Sequence, residues 1–525
     1  MAKIGKNILE NLTTGMYSDS KVAYREYVQN ACDQIDKAIQ SGIVTRETAE
    51  VAIFIDKKNR YVSIEDNATG VREKDFVAQL GDIANSDKKI GVDKGFRGIG
   101  RLCGLAYCRL LVFTTSFAGE SVSSRMSFDA AKMREMLMSP RKYTVDEILD
   151  EIVSTETVKE DKDFHYFKVE LIDINTENTE LLNGSAVRDY LCFVAPVPYS
   201  NKFPYRQEIY EHAEKIHFSI DEYNVTVNGA QLFKEYKSRL YEGVDNSKKI
   251  YDEIFGVEFK DFYEGKRLIA WMWYGLSRFE RAIPKSLNPM YGFRLRQGNI
   301  QIGDNTAVAA LFKEDRGNSY FIGEIFTVDP KLIPNSQRNY FNETPARIKL
   351  EEQLRIFFYE DLHRLYHAAN ATKNLYKKLE AYNSAVARFQ EKQNTGFIDD
   401  NEKARMEAMM EEARDKKDTA KKKLEKTVDT LSISTTLTPV QRVQKEIQTK
   451  FEKKKISSST EKAEEKDKEI TENKDDKKPK YFTDNLSKLD KNKRKLVRQI
   501  MGIVHQNAPK DIAEKIQAAI EKEFR

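Results

Sequence analysis

Residues 26–33 read Glu-Tyr-Val-Gln-Asn-Ala-Cys-Asp and carry three polar side chains at helical spacing. Glu26, Asn30 and Asp33 are separated by four and then three positions, which places them on one face of a helix. Good helix formers and few turn residues surround them, so the stretch predicts a helix. A polar helix face is by itself most often only a solvated face, and the functional interpretation therefore depends on the stretches that follow.

Two further stretches accompany the predicted helix in a fixed order. Asp66-Asn67-Ala68-Thr69-Gly70 comes directly after the alternating run 61–64, so a strand delivers a carboxylate into a tight turn. Gly95-Phe96-Arg97-Gly98-Ile99-Gly100 then leads into a helix-like run over 102–107. Glycines at this place let backbone amides approach an anion at a helix N-terminus. The three stretches together favour a nucleotide site over three unrelated surface features.

Two common nucleotide-binding patterns are excluded. The chain has no Gly-x-x-x-x-Gly-Lys-Ser/Thr sequence, which rules out a P-loop. Cys103 stands where a Rossmann fingerprint beginning at Gly98 needs its third glycine, and no hydrophobic strand precedes that segment.

The three stretches resemble the first three motifs of the GHKL, or Bergerat-fold, ATPases, which include gyrase-type topoisomerases, ninety-kilodalton heat-shock chaperones and histidine kinases. The resemblance implies an α+β fold whose α/β sandwich head binds ATP with Mg²⁺. Asn30 would then ligate the magnesium, Glu26 would orient or deprotonate a water at the terminal phosphate, and Asp66 would accept a hydrogen bond from adenine. The other residues expected to bind the nucleotide are Asp33, Gly70, Lys94, Gly95, Phe96, Gly98, Ile99 and Gly100.

Two more segments are similar to parts of this family. The glycine- and lysine-bearing interval 71–94 is similar to the mobile lid that closes over ATP. Residues 182–187 are similar to the fourth motif, in which a hydroxyl lies near the adenine-binding carboxylate, and Ser185 is assigned that role. The chain departs from the usual pattern at Ala68, where the family usually has glycine.

The sequence that follows the ATP-binding head predicts four further regions. Prolines 196 and 198 suggest a boundary, so we expect an ATP-binding domain over 1–194 and a transducer-like middle domain over 195–345. Heptad-like spacing over 346–431 predicts a helical hairpin or a dimer-forming coiled coil, and the sequence does not choose between pairing within and between chains. A linker and low-complexity charged segment spans 432–482, and a small helical unit spans 483–525.

One loop of the predicted middle domain is similar to a catalytic loop of the chaperones. Residues 332–339 read Leu-Ile-Pro-Asn-Ser-Gln-Arg-Asn, and the resemblance makes Arg338 the side chain that reaches the terminal phosphate. Arg294 and Arg296, on an alternating strand, are weaker candidates. Trp271 and Trp273 lie on one face of a strand and are expected in the core or at its rim.

Composition limits the setting of the protein. The 525 residues have a net charge of +4, divided into +8 over 401–525 and −4 over 1–400, so the basic C-terminal region permits contact with a polyanion. Four cysteines without metal spacing fit a reduced, cytoplasmic compartment. The sequence lacks a run of about 18 apolar residues, so a membrane span is not expected.

The resemblance implies an ATP-dependent clamp that dimerises and hydrolyses ATP slowly, with chaperone-like or remodelling activity on a protein client. Two alternatives stay open: a DNA-binding clamp of the microrchidia type, in defence against foreign DNA, and a nucleotide-sensing scaffold that does not hydrolyse ATP. We expect no histidine kinase, because only 25 residues precede Glu26. Nothing after residue 345 offers a topoisomerase cleavage domain or the metal cluster of a mismatch endonuclease.

Overall fold

The structure is a computed structural model that describes residues 5–12, 19–81, 100–243, 247–428, 438–457 and 479–525. The chain forms two compact units. The first comprises Met1–Ser277 and Arg281–Asp361, and the second comprises Arg278–Glu280 and Leu362–Arg525. Most of the predicted lid, the third motif before Gly100, and most of the predicted linker and charged segment lie outside the described residues.

A mixed sheet forms the centre of the N-terminal part of the first unit. Among the described residues it has eight strands in the order β5-β4-β3-β6-β2-β1-β7-β8. Strands β1 and β2 form a hairpin, in which they pair antiparallel with Val51 opposite Asp66. The strands are β1 (Val51–Asp56), β2 (Tyr61–Asp66), β3 (Cys108–Ser116), β4 (Val122–Asp129), β5 (Val153–Lys159), β6 (Tyr166–Ile174), β7 (Val225–Val227) and β8 (Ala230–Gln231).

The sheet extends past the predicted domain boundary at residue 194. Strand β7 pairs parallel with β1, with Val51 opposite Val225, and β8 turns back antiparallel onto β7. A segment of the expected middle domain therefore completes the sheet of the N-terminal domain.

Helices accompany this sheet, and the predicted motif helix is the longest of those described before residue 345. In β1, Val51, Ile53 and Ile55 are buried while Ala52 and Phe54 are exposed, which is the alternation of a half-buried strand. The helices are α1 (Asn7–Leu12), α2 (Val22–Gln40), α3 (Glu73–Gly81), α4 (Ala130–Met138), α5 (Val145–Ile152), α6 (Gly184–Val194) and α7 (Arg206–Lys215), with 3₁₀ turns at Gly100–Ala106 and Thr176–Leu182.

A second sheet follows in the same unit. Its strand order is β11-β12-β15-β13-β14. A separate two-stranded sheet, formed by β9 and β10, precedes it in the chain. Trp271 and Trp273 are both fully buried, which confirms them as core. The strands are β9 (Arg239–Glu242), β10 (Lys249–Glu253), β11 (Gly256–Glu264), β12 (Arg267–Leu276), β13 (Gly292–Gln297), β14 (Ile300–Ile302) and β15 (Ile322–Thr327), and helix α8 (Pro345–Phe357) closes the unit.

A fully buried ionic cluster crosses this second sheet. Glu324 on β15 is ion-paired with Arg296 on β13, and its Oε2 lies 2.9 Å from Lys234 Nζ. Tyr236 donates its hydroxyl hydrogen to Glu324 Oε1 over 3.1 Å, and Tyr199 also bonds the carboxylate. Arg296 is therefore a buried partner of Glu324 in the core. The expectation that it is a candidate for phosphate contact is wrong.

The second unit is helical, as predicted. Helices α9 (His363–Thr395) and α10 (Asp400–Val428) form an antiparallel hairpin within the chain, with Lys392 Nζ 3.0 Å from Glu402 Oε1 and Lys417 over the Tyr382 ring. Helix α11 (Pro439–Ser457) packs on α9, where the rings of Tyr376 and Phe451 stack. The predicted small C-terminal unit consists of α12 (Lys491–Asn507) and α13 (Lys510–Phe524).

In the part of the chain that the structure describes, no helix is both long enough and apolar enough to span a membrane.

Candidate functional site

The central helix of the candidate site is α2, which carries the three polar residues of the first motif. Glu26 and Asp33 are buried and Asn30 is half-buried, although a merely solvated helix face would leave all three exposed. Burying carboxylates costs free energy unless partners or a ligand compensate them. The face therefore lines an interior site rather than the protein surface.

Glu26 is held by its neighbour in sequence. Arg25 Nη2 lies 2.9 Å from Glu26 Oε1, and the two side chains are only 6% and 9% exposed. The same Arg25 nitrogen donates to the carbonyl of Gln337 over 3.3 Å. One guanidinium thus connects the first motif to the loop that contains Arg338.

Gly100 packs directly against Glu26. A Cβ on Gly100 would collide with Glu26 Oε2, so any other residue here would displace that carboxylate. The turn that begins at Gly100 is fixed to α2 through Tyr27, whose hydroxyl accepts from Gly104 N over 2.9 Å and donates to the carbonyl of Arg101 over 3.0 Å. The described end of the third motif and the first motif therefore form one packed assembly.

The second motif is a tight turn at the end of β2. Asp66 is buried, and its Oδ1 accepts a hydrogen bond from Ala68 N over 3.1 Å. Gly70 has φ +69°, and a Cβ there would collide with the carbonyl of Ser116, so the position requires glycine. The turn therefore places a buried carboxylate at the end of β2.

Two residues outside the sequence motifs hold this turn in place. Thr115 Oγ1 accepts from Val71 N over 3.0 Å and donates to the carbonyl of Tyr166 over 2.7 Å. His165 Nδ1 lies 2.8 Å from the carbonyl oxygen of Ala68. Both come from strands or strand ends far from the motif in sequence, so only the strand pairing could have identified them.

Comparison with known proteins agrees with this geometry. The family model described as "Histidine kinase-, DNA gyrase B-, and HSP90-like ATPase" matches residues 17–160, which contain the helix, the turn and the glycine segment. Residues 17–160 therefore belong to a GHKL-type ATPase domain that resembles HSP90-like proteins. Its mixed sheet-and-helix architecture is consistent with the α+β class of that fold.

The chain is also similar to individual proteins. "Chaperone protein HtpG" of Hydrogenovibrio crunogenus is 27% identical over 197 residues, covering 34% of this chain and 30% of the relative. "Chaperone protein HtpG" of Anaplasma phagocytophilum is 28% identical over 216 residues, covering 35% and 34%. "Endoplasmin homolog" of Hordeum vulgare is 28% identical over 95 residues, covering 17% and 12%. The chain thus spans about a third or less of the length of these relatives.

Ser185 does not take the position expected of the fourth motif in the GHKL domain. It is exposed at the start of α6, and its hydroxyl donates to Asn183 Oδ1 over 3.1 Å. Strand β6 passes Asp66 at Phe167, near its own beginning, whereas Ser185 comes after its other end. The expectation that Ser185 lies beside Asp66 is wrong, and the hydroxyl of Thr115 bonds the end of the turn instead, at Val71 N.

Arg338 lies in a loop that the structure brings to the GHKL domain. It is 7% exposed and has φ +53°, a conformation uncommon for a residue with a side chain. The loop is closed by Arg338 N donating to the carbonyl of Asn335 over 3.1 Å, and it is tied to the second sheet by Gly303 N donating to the carbonyl of Arg338 over 2.8 Å. Lys94, Gly95, Phe96, Gly98 and Ile99 lie outside the described residues.

Proposed function

We propose that this protein binds ATP and hydrolyses it slowly to drive a dimeric clamp cycle with chaperone-like or remodelling activity. The observation that carries the proposal is the position of Glu26. It is buried, packed on Gly100 and ion-paired with Arg25, which also bonds the loop of Arg338. A carboxylate in this setting suits a group that orients or deprotonates a water at the terminal phosphate.

The described residues fit ATP and Mg²⁺ in three respects. Asp66 is a buried acceptor at a strand end, as an exocyclic amine requires, and Gly70 and Gly100 keep the walls free of side chains. Asn30 supplies a single half-buried amide oxygen on the face of Glu26, which suits a magnesium ion that keeps waters and shares phosphate oxygens. Bound magnesium would neutralise charge on the phosphates. We propose Asp33 as a further nucleotide-binding residue on the same face.

Asp66→Asn is expected to weaken ATP binding about thirtyfold to a hundredfold, as the loss of a charge-assisted hydrogen bond does. The amide would also present a donor where adenine presents one. Binding of ATP and of GTP should be measured by calorimetry. Asp56→Asn, at the half-buried end of β1 in the same sheet, is the matched control and should bind ATP as the wild type does. Unchanged affinity in Asp66→Asn would remove Asp66 from the adenine site.

Arg25 links the reacting centre to the loop of the second sheet. Its ion pair holds the Glu26 carboxylate, while its bond to the Gln337 carbonyl fixes the loop. We propose that entry of Arg338 into the nucleotide site displaces this arrangement and frees Glu26. Hydrolysis would then depend on the loop position, which makes turnover slow and coupled to a conformational step.

Arg338→Ala is expected to lower kcat about a hundredfold with little change in nucleotide affinity, as removal of one donor to a developing oxyanion does. Steady-state hydrolysis and calorimetric binding should be measured together. Arg316→Ala, an exposed arginine in the same unit that pairs with Glu314, is the control and should keep wild-type turnover. Equal turnover in Arg338→Ala and wild type would exclude the phosphate role.

Self-association is supported by an exposed apolar surface on the C-terminal helices. The side chains that form it are Leu496, Ile500, Ile503, Ile512 and Ile516, each at least 37% exposed. Exposed aliphatic residues at helical spacing mark interaction surfaces. We propose that a second copy of the chain covers them, and light scattering with and without a non-hydrolysable ATP analogue measures the expected dimer.

A DNA-binding clamp of the microrchidia type is a second candidate function. Helix α12 carries five basic side chains and no acidic one, which favours a polyanion: Lys491, Lys493, Arg494, Lys495 and Arg498. If DNA is the partner, duplex binding should weaken steeply with salt and should disappear when 440–525 are deleted. Salt-independent or unaltered binding would leave a protein client as the preferred partner.

A further inference from the structure

A pocket separate from the nucleotide site opens in the first unit between the end of α6 and the strand β9. It has a volume of about 210 Å³. One wall comes from Arg188 and Cys192 on α6, and the opposite walls come from 235–241 and 287–290. None of these residues belongs to the three motifs, so the pocket has no part in the proposed ATP chemistry.

The mouth of the pocket is positively charged. Lys237, Arg239 and Lys248 are exposed there, with Arg188 beside them, against the two carboxylates of Asp189 and Glu235. In the described residues, no carboxylate lies within ion-pair distance of Lys237 or Arg239. The acidic residue at the end of β9, Glu242, is already paired with Lys249 over 3.2 Å and with Arg281. Two cations at the mouth are therefore available to an anion.

A buried cation stands directly behind the pocket. Arg294 is 5% exposed, its guanidinium lies 4.2 Å from the centre of the Phe193 ring, and it donates to the carbonyl of Pro289. Phe193 and Pro289 both line the pocket. Within the described chain, Arg294 has no carboxylate at ion-pair distance, and its buried Nε has no hydrogen-bond acceptor. Burial lowers the pKa of Arg294, which reflects the cost of a desolvated charge.

The floor of the pocket is apolar and fixed. Phe193, Met290 and Cys192 are buried there. Asn288 joins the two walls, because its Oδ1 accepts from Tyr241 N over 2.9 Å and its Nδ2 donates to the carbonyl of Tyr241 over 2.8 Å. A preformed cavity with an apolar floor and a few polar groups is the usual form of a small-molecule site.

We propose that this pocket binds a small organic phosphate, with its apolar body on Phe193 and Met290 and its phosphate at Lys237 and Arg239. A doubly charged anion offsets the excess of cations at the mouth and the unpaired charge of Arg294 behind it. The volume is below the range of about 300 to 1,000 Å³ that holds drug-sized ligands, so the body is no larger than a single ring or a short chain.

The proposal is tested with phenyl phosphate, titrated into the full-length protein by calorimetry. The wild type is expected to bind one equivalent, whereas the double variant Lys237→Glu/Arg239→Glu should bind at least about tenfold more weakly. Lys266→Glu, at the exposed turn between β11 and β12, makes one such charge reversal away from the pocket and should bind as the wild type does. Asp66→Asn should also bind unchanged, which separates this pocket from the nucleotide site.

Two simpler probes complete the test. Inorganic phosphate should bind more weakly than phenyl phosphate because it lacks contact with the apolar floor, and benzyl alcohol should not bind because it lacks the charge. No binding by the wild type, or equal binding by the double variant with an unchanged melting temperature, would overturn the proposal. Equal affinity for inorganic phosphate would likewise overturn it, because the floor would then contribute nothing.

Discussion

Glu26→Gln is expected to reduce ATP turnover about a thousandfold while ATP binding stays within a factor of about two, since general-base assistance contributes about 10² to 10⁴ in rate. Glutamine has nearly the size of glutamate and still accepts a hydrogen bond from Arg25, so the packing on Gly100 is preserved. What the amide lacks is the basicity to take a proton from water. The loss should therefore appear in kcat and not in nucleotide affinity.

Steady-state hydrolysis and calorimetric ATP binding should be compared in wild type and Glu26→Gln, with and without duplex DNA. Glu47→Gln is the matched control, because this glutamate is exposed on the same domain and should leave turnover unchanged. If wild type and Glu26→Gln are equally inert and both bind ATP, the catalytic assignment fails. The protein would then act as a nucleotide-sensing scaffold rather than as a hydrolase.

The parts of the site that local sequence determines could be predicted. Helical spacing of Glu26, Asn30 and Asp33 places them on one face of α2 without reference to any other segment. The alternating run before Asp66 predicts both the strand and the turn that ends it. Each of these inferences depends on the periodicity of a single helix or strand, and periodicity is a property of neighbouring residues.

The strand hydroxyl that bonds the turn after Asp66 could not be predicted in the same way. Ser185 follows a glycine and looks like the expected motif, yet it begins a helix after the far end of β6. Thr115 has no motif of its own, and it reaches the turn because β3 pairs with β6 in a register that sets Thr115 opposite Phe167. Register between distant strands depends on the whole sheet, which local spacing does not encode.

The arginines of β13 illustrate a second limit of prediction from sequence. Arg294 and Arg296 alternate with apolar residues, which by itself allows either a phosphate site or a core position. The core position is correct, because both arginines are buried and β13 lies beside β15, where Glu324 is ion-paired with Arg296. The partner of Arg296 comes from a strand 28 residues away, and no spacing rule predicts that pairing.

Glu324→Gln is expected to lower the free energy of unfolding by about 3 to 5 kcal/mol, because removal of one member of a buried ion pair leaves uncompensated charges. Both Arg296 and Lys234 are fully buried and lose their shared carboxylate in this variant. Urea denaturation measures the change. Glu314→Gln, whose exposed partner is Arg316, is the control and should change stability by less than about 1 kcal/mol.

The pH dependence of unfolding tests the same cluster independently. Burial alone would raise the pKa of Glu324, but Arg296 and Lys234 outweigh it and lower the pKa from 4.5 to about 2. A depressed folded-state pKa gives stability that is complete above the unfolded value and is lost as pH falls toward the folded one. Wild-type stability should therefore decrease between about pH 5 and pH 2, and the decrease should be shallower in Glu324→Gln, which has no proton to bind.

The buried cluster around Glu324 also lies where a conformational change at the nucleotide site could be transmitted to the second sheet. Arg296 Nη2 donates to the carbonyl of Phe193 over 2.7 Å, and Lys234 N donates to the carbonyl of Pro198 over 2.8 Å. These two bonds attach residues 193–198, which follow the GHKL domain, to the cluster on the second sheet. The loop of Arg338 is tied to the same sheet. If the segment is a rigid connection, Glu324→Gln should lower ATP turnover at temperatures where the variant is still folded. Unchanged turnover with reduced stability would limit the cluster to a structural role.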